Sequence, residues 1–168
     1  MHVHEGTLGD YAGEFCIRIH YHKHMIVTLD TNVLLAALIS ANGASHFILN
    51  LILEEKVRLA LSTSVVLEYD DVLKRPDIQA LHRLSIADVD DIVDTLLLLA
   101  RKHAIYYRLR PNLVDEGDNL IFECAFTSNS DYLITSNIRD FTHAEWRGAA
   151  FEVVTPSDFC KRWRSTHE

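Results

Sequence analysis

The run Met25 to Leu38, MIVTLDTNVLLAAL, constrains the fold of this chain more than any other stretch. A short apolar segment ends in Asp30-Thr31-Asn32, and a second apolar segment begins at once. An acid set between a buried strand and a helix lies at the strand's carboxyl end, where ligand and catalytic sites gather in open α/β sheets. Asp30 or Thr31 can also cap the helix, because Asp and Thr are favoured at helix starts. On this segment alone capping is the simpler reading, so the rest of the chain has to decide.

From Met25 onward the pattern alternates. Ile26 to Leu29 reads as a strand and Val33 to Ile39 as a helix; Ser45 to Glu55 is helical by its apolar spacing, and Val57 to Leu61 is a second strand. A helix over Ser64 to Leu73 ends before Pro76, which disfavours helical geometry in Arg75. Ser85 and Asp88 have capping-box spacing and open a long helix reaching about His103. Tyr106 to Leu109 reads as a third strand, Asp118 to Phe126 as a helix, Tyr132 to Thr135 and Phe151 to Val154 as further strands. Thr155-Pro156 starts the last helix. Strands separated by helices predict a mostly parallel sheet covered on both faces, an α/β/α sandwich.

The chain has 168 residues and 48% apolar content, enough for one domain with a substantial core. Its formal charge of -8 argues against a broad basic footprint for nucleic acid. Cys16, Cys124 and Cys160 are odd in number and lack a C-x-x-C pair, so neither a disulfide framework nor a zinc knuckle is supported. The expected setting is reducing and cytoplasmic, with no membrane contact, since no apolar run approaches the roughly 18 to 20 residues needed to span a bilayer. Residues 1–24 read as an extension separate from the domain at 25–168. They hold five of the ten histidines, and His20, His22 and His24 would share one face of a strand. A polar strand face or a leader accounts for them more simply than a metal patch.

Four acidic groups coincide with the alternation. Asp30 follows the first strand, Glu68 lies in the helix after the second, Asp115 and Asp118 open the helix after the third, and Asp140 follows the fourth. Right-handed crossovers put all strand-to-helix junctions on one edge of the sheet, so these acids can converge. Glu68 stands in the otherwise apolar stretch STSVVLEY, where an inward carboxylate is costly unless paired or bound to a cation. Two carboxylates about 5 Å apart at an effective dielectric near 20 repel by roughly 3 kcal/mol. Mg²⁺ or Mn²⁺ resolves that repulsion, because both favour oxygen ligands. Such a site suits phosphodiester hydrolysis, activating a water and stabilising the departing oxygen. Lys74 and Arg75 at the end of the Glu68 helix, and Arg139 beside Asp140, are candidates to meet the phosphates of a nucleic-acid backbone, although Lys74 and Arg75 can equally be helix-end charges. Arg101, Lys102, Arg108 and Arg110 form a second basic region.

Met25 to about Lys161 resembles a PIN domain, particularly the toxins of bacterial and archaeal toxin-antitoxin systems of the VapC type. The segments that carry the resemblance are LDTNVLLAAL, STSVVLEYDDVLKRP, DEGDNLIFECAFTSNSDYLITSNIRDF and EVVTPSDF, in that order. It implies an endoribonuclease that uses Mg²⁺ or Mn²⁺ to hydrolyse single-stranded RNA, a homodimer, and an antitoxin covering the active site. Asp30, Glu68 and Asp118 match the first three catalytic, metal-holding acids, and Asn32 and Thr135 match polar residues around them. In TSNIRDF the place often held by a fourth Asp is Asn137, and Asp140 follows three residues later. Asn supplies a neutral oxygen or a hydrogen bond but no full charge. Two other readings stay open: a non-catalytic RNA- or protein-binding module, and an RNA-processing nuclease without an antitoxin. A haloacid-dehalogenase-like phosphatase expects Asp where this chain has Asn32, and the acidic pair of a response-regulator receiver is missing.

Overall fold

The computed structural model describes residues 24–103, 113–142 and 150–167. Five strands form one sheet in the order β3-β2-β1-β4-β5, with every neighbouring pair parallel. They are β1 (Ile26–Leu29), β2 (Arg58–Ser62), β3 (Arg101–His103), β4 (Tyr132–Ile134) and β5 (Glu152–Val154). The helices among the described residues are α1 (Thr31–Ile39), α2 (Ala44–Leu53), α3 (Thr63–Leu73), α4 (Pro76–His82), α5 (Ile86–Leu99), α6 (Glu116–Thr127), α7 (Ile138–Thr142) and α8 (Pro156–His167).

The chain steps from β1 through β2 to β3 in one direction, then crosses back to place β4 and β5 on the other side of β1. Right-handed crossovers therefore put α1 to α5 against one face and α6 and α7 against the other, with a topological switch point between β1 and β4. Helix α5 packs on β2, α6 on β1, β2 and β4, and α8 returns to pack on α2. Helices α3 and α6 belong to opposite faces yet touch each other. They can meet only over the carboxyl edge of the sheet, which brings the Glu68 helix to the Asp118 helix.

Burial follows the sequence pattern. All four residues of β1 are buried, and Leu59, Leu61, Leu133 and Ile134 continue that layer through the neighbouring strands. Ser85 and Asp88 close the capping box in both directions, with Asp88 N–H donating to Ser85 Oγ at 3.1 Å and Ser85 N–H to Asp88 Oδ2 at 2.8 Å. Thr155 caps α8 by accepting from Asp158 N–H at 3.1 Å, with Pro156 opening the helix. Among the described residues no single helix is long and apolar enough to cross a membrane.

Three features differ from the sequence expectation. Helix α5 stops at Leu99, because Ala100 turns to an extended conformation (φ -74°, ψ 153°), and β3 follows at once, pairing Ala60 with Arg101 and Ser62 with His103. As an edge strand β3 keeps charged residues, which protect an edge from further pairing, and a strand of that composition imitates the polar end of a helix. Tyr106 to Leu109, where the third strand was expected, lies outside the described residues, as do Arg108, Arg110, His20 and His22. Pro76 both ends the path of α3 and opens α4, since proline is well suited to the first helical position. The segment carrying Arg139 and Asp140 is the short helix α7.

Tyr69 ties the helical layer to the site. It is 1% exposed, and its hydroxyl donates to the carbonyl of Leu29 at 2.5 Å, one residue before Asp30. Burial pushes its hydroxyl well above the usual tyrosine range, so it stays a donor. Tyr69→Phe removes that donor at a dry position and is expected to lower stability by about 1–2 kcal/mol. Urea unfolding checks this, and an unchanged midpoint would contradict the role.

A candidate active site at the switch point

Asp30 occupies the first position before α1, but its carboxylate makes no side-chain cap. Its Oδ2 instead accepts from Asn32 Nδ2 at 2.7 Å and from Thr135 Oγ1 at 2.6 Å. The second bond crosses the switch point, from the end of β4 to the end of β1. Thr135 Oγ1 also accepts the backbone N–H of Asn137 at 3.0 Å, and Asn32 Oδ1 accepts that of Ser136 at 3.2 Å. Asn137 in turn donates its side-chain amide to Asp140. A continuous run of bonds thus links Asp30, Asn32, Thr135, Asn137 and Asp140.

Thr31 takes no capping role either. Its hydroxyl is buried and donates to Glu68 Oε1 at 2.8 Å. Glu68 Oε2 is the one buried side-chain oxygen or nitrogen without a hydrogen-bond partner among the described residues. Nearly all buried polar atoms in proteins are satisfied, so an orphan among acids marks a place built for something else. On the α6 side Asp115 caps the helix by accepting Gly117 N–H at 2.8 Å. A side chain at Gly117 would bring its Cβ within 3.1 Å of both Glu68 Oε1 and Asp115 Oδ1. Glycine at that position lets the backbone of α6 approach the Glu68 carboxylate. Buried Asn119 fixes the loop before α6, donating to the carbonyls of Leu113 at 3.0 Å and Asp115 at 2.9 Å and accepting from Leu113 N–H at 3.0 Å.

Electrostatics tie the acids into one group. Burial pushes the Asp30 carboxyl up, and the bonds from Thr135 and Asn32 oppose that rise. Glu68 is also raised, first by burial and then by the charges of Asp30 and Asp115, against the Thr31 bond and the charge of Arg75. Asp118, half-buried in the first turn of α6, is pushed up to about 6 by burial and then by Asp30, Asp115, Asp140 and Glu68. The structure therefore brings Asp30, Glu68, Asp115, Asp118 and Asp140 within reach of one another's fields. Among the described residues no three carboxylate, imidazole or thiol groups already stand in a coordinating arrangement. The acids come from the β1–α1 junction, α3, the start of α6 and α7.

The basic residues are placed differently. Lys74 bridges Asp70 and Asp90, both at 2.6 Å, and so fastens α3 to α5. Arg75, between α3 and α4, binds Asp71 of α3 at 2.5 and 3.2 Å, while its charge still reaches Glu68. Arg139 is exposed on α7 beside Asp140. Thr31, Gly117, Tyr69 and Asn119 are the site-building residues that the sequence pattern does not single out. The signals available were a hydroxyl next to the first acid and a glycine inside a helix's first turn, where glycine otherwise weakens the helix.

A raised carboxyl binds its proton more tightly in the folded state than in the unfolded chain, so its ionisation opposes folding. For Asp118 the stabilisation is complete below the ordinary aspartate value and is lost as pH rises through about 6. In a chelating buffer Asp118→Asn is therefore expected to melt higher than the wild type at about pH 7.5, with the gap closing by about pH 4. Calorimetric melting across that range tests the sign; a gap that widens in acid would refute it.

Comparison with known proteins bears on the family and the fold. A family model described as PIN domain matches residues 26–139. No curated protein matches the chain. Among solved structures, the chain is similar to one in the crystal structure of VapBC2 from Rickettsia felis bound to a DNA fragment from their promoter. The two share 18% identity with a TM-score of 0.54, over 78% of this chain and 98% of that one. The solved chain supports the fold, and the family match spans β1 through β4 with all the acids up to Asp118 and with Asn137. The chain belongs to the PIN domain family.

Proposed function

We propose that this protein is a divalent-metal-dependent endoribonuclease acting on single-stranded RNA, as the toxin of a toxin-antitoxin pair. The observation that carries the reading is the orphaned, buried Glu68 Oε2 among acids that raise one another's proton affinity. A carboxylate oxygen kept dry and unpaired costs roughly 1–3 kcal/mol or more, a cost that a cation removes and a substrate alkyl or aryl group would not. The donors are all oxygens, the chemistry of Mg²⁺ or Mn²⁺ rather than of zinc.

Asp30, Glu68 and Asp118 would hold the cation, with Asp140 and Asn137 completing the site and Asp115 nearby. Bound there, a divalent ion supplies Lewis-acid activation of water and charge neutralisation for a phosphodiester. The chain's own residues do the rest. Thr135 and Asn32 keep Asp30 Oδ2 engaged and so orient its other oxygen; Thr31 does the same for Glu68. Asn137 holds Asp140. Arg75 can exchange Asp71 for a backbone phosphate, and Arg139 flanks the same edge. Lys74, with two carboxylate partners, contributes through the α3–α5 contact. The antitoxin partner is proposed from the family and from the solved VapBC2 assembly, and with it a homodimer.

Purified protein incubated with single-stranded RNA is expected to cut it with Mg²⁺ or Mn²⁺ and to stop with excess chelator. Asp30→Asn should reduce cleavage by at least about 100-fold, because it removes a charged ligand of the cation, and losing even a partner that orients such a ligand costs about 10- to 100-fold. Cleavage that survives both treatments would defeat the metal mechanism. Gly117→Ala separates site from scaffold. Its stability should stay within about 1 kcal/mol of wild type, the scale of the helix-propensity gain, while cleavage falls because the new methyl displaces Glu68.

A further inference from the structure

Glu68 differs from the other acids in how its two oxygens are used. Oε1 receives one strong bond from a buried hydroxyl, and Oε2 is equally dry and receives nothing. Thr31 has a single proton to donate, and it is directed at Oε1 across 2.8 Å between α1 and α3. The hydroxyl has little freedom to turn away, since Thr31 is only 6% exposed and its β-branched side chain is stiff about χ1. Glu68 Oε1 also lies against the α6 backbone, where a Cβ at Gly117 would stand 3.1 Å from it. Tyr69, the next residue of α3, is fixed to the end of β1 by its bond to Leu29. Oε1 of Glu68 is therefore held between Thr31 of α1 and the start of α6, with Oε2 left over.

We infer that Thr31 is a positioning residue whose hydroxyl holds Glu68 Oε1 so that Oε2 is presented to the cation. The inference rests on the metal-dependent reading of the site. Thr31 touches neither cation nor RNA; it acts through Glu68. Its role differs from capping, the ordinary use of threonine at a helix start, because Thr31 is already inside α1 and its hydroxyl is given to Glu68. It also differs from the Thr135 and Asn32 bonds, which both fall on Asp30. Each of the two deepest acids thus has its own restraint, and that of Glu68 comes from a single residue.

Thr31→Val keeps the shape and removes the proton. Titration calorimetry with Mn²⁺ on the full chain, without RNA, should show affinity lowered about 10- to 100-fold, the usual loss on removing a partner that orients a metal ligand. Thr31→Ser should restore it to within a few-fold. In a Glu68→Gln background Thr31→Val should cost no further affinity, because the residue it positions is already altered. With RNA, kcat should fall while KM holds. Should Thr31→Val fail to fold, Thr31→Ala provides the same comparison. Wild-type affinity in Thr31→Val, no recovery in Thr31→Ser, or an equal loss in both backgrounds would overturn the inference alone. Absence of Mn²⁺ binding by the wild type would overturn the metal-dependent reading and this inference with it.

Discussion

The bond from Thr135 Oγ1 to Asp30 Oδ2 is the constraint around which the site is arranged. It joins the ends of two strands that lie side by side because the chain reverses its direction of travel across the sheet between them. In β1 and β4 the register places Leu29 opposite Ile134, so the next residue of each strand emerges at the same height. The backbone repeats the union, with Asp30 N–H donating to the Ile134 carbonyl at 2.9 Å. A parallel sheet of this order leaves a crevice at that point by topology alone. What the side chains add is a buried acid fixed at its mouth.

That placement is electrostatically unfavourable for the fold. Burial raises Asp30, Glu68 and Asp118 alike, and each of the latter two is raised further by its neighbours' charges. The compensations are local and incomplete: two donors for Asp30, one for Glu68, and for Asp115 an amide of its own helix. A chain selected for stability alone would replace some of these acids with amides or apolar residues, as buried ionic groups are often improved upon in that way. Strain concentrated at one edge of an otherwise well-packed sheet is the pattern expected of a functional site.

The amino-acid pattern makes the frame and the acids legible because both depend on local rules. Apolar runs mark β1 and α1, a capping box marks the start of α5, and the acids stand at the junctions where crossovers must converge. The helix expected to reach about His103 stops at Leu99 for a physical reason. Among the described residues, Arg101, Lys102 and His103 have strand pairing on one side only, with β2. Nothing in a polar edge strand distinguishes it from the tail of the preceding helix. Short helices such as α7 have too few residues to show a period. Tertiary ion pairs are equally invisible, so Lys74 reads as a candidate phosphate contact although α5 supplies Asp90 to hold it.

Thr31 shows where local reading ends. Beside an acid and before an apolar helix, a threonine carries a ready explanation in capping, and that explanation is correct for many such residues. Only the packing of α3 over the carboxyl edge puts Glu68 within reach of its hydroxyl, and Glu68 is 37 residues away in sequence. The same packing requires Gly117, since any side chain there would press on the carboxylate. Thr31, Glu68 and Gly117 come from three helices on two faces of the sheet. The carboxylate's position is thus set by the meeting of the two faces, and the chemistry at this edge depends on the sandwich being closed.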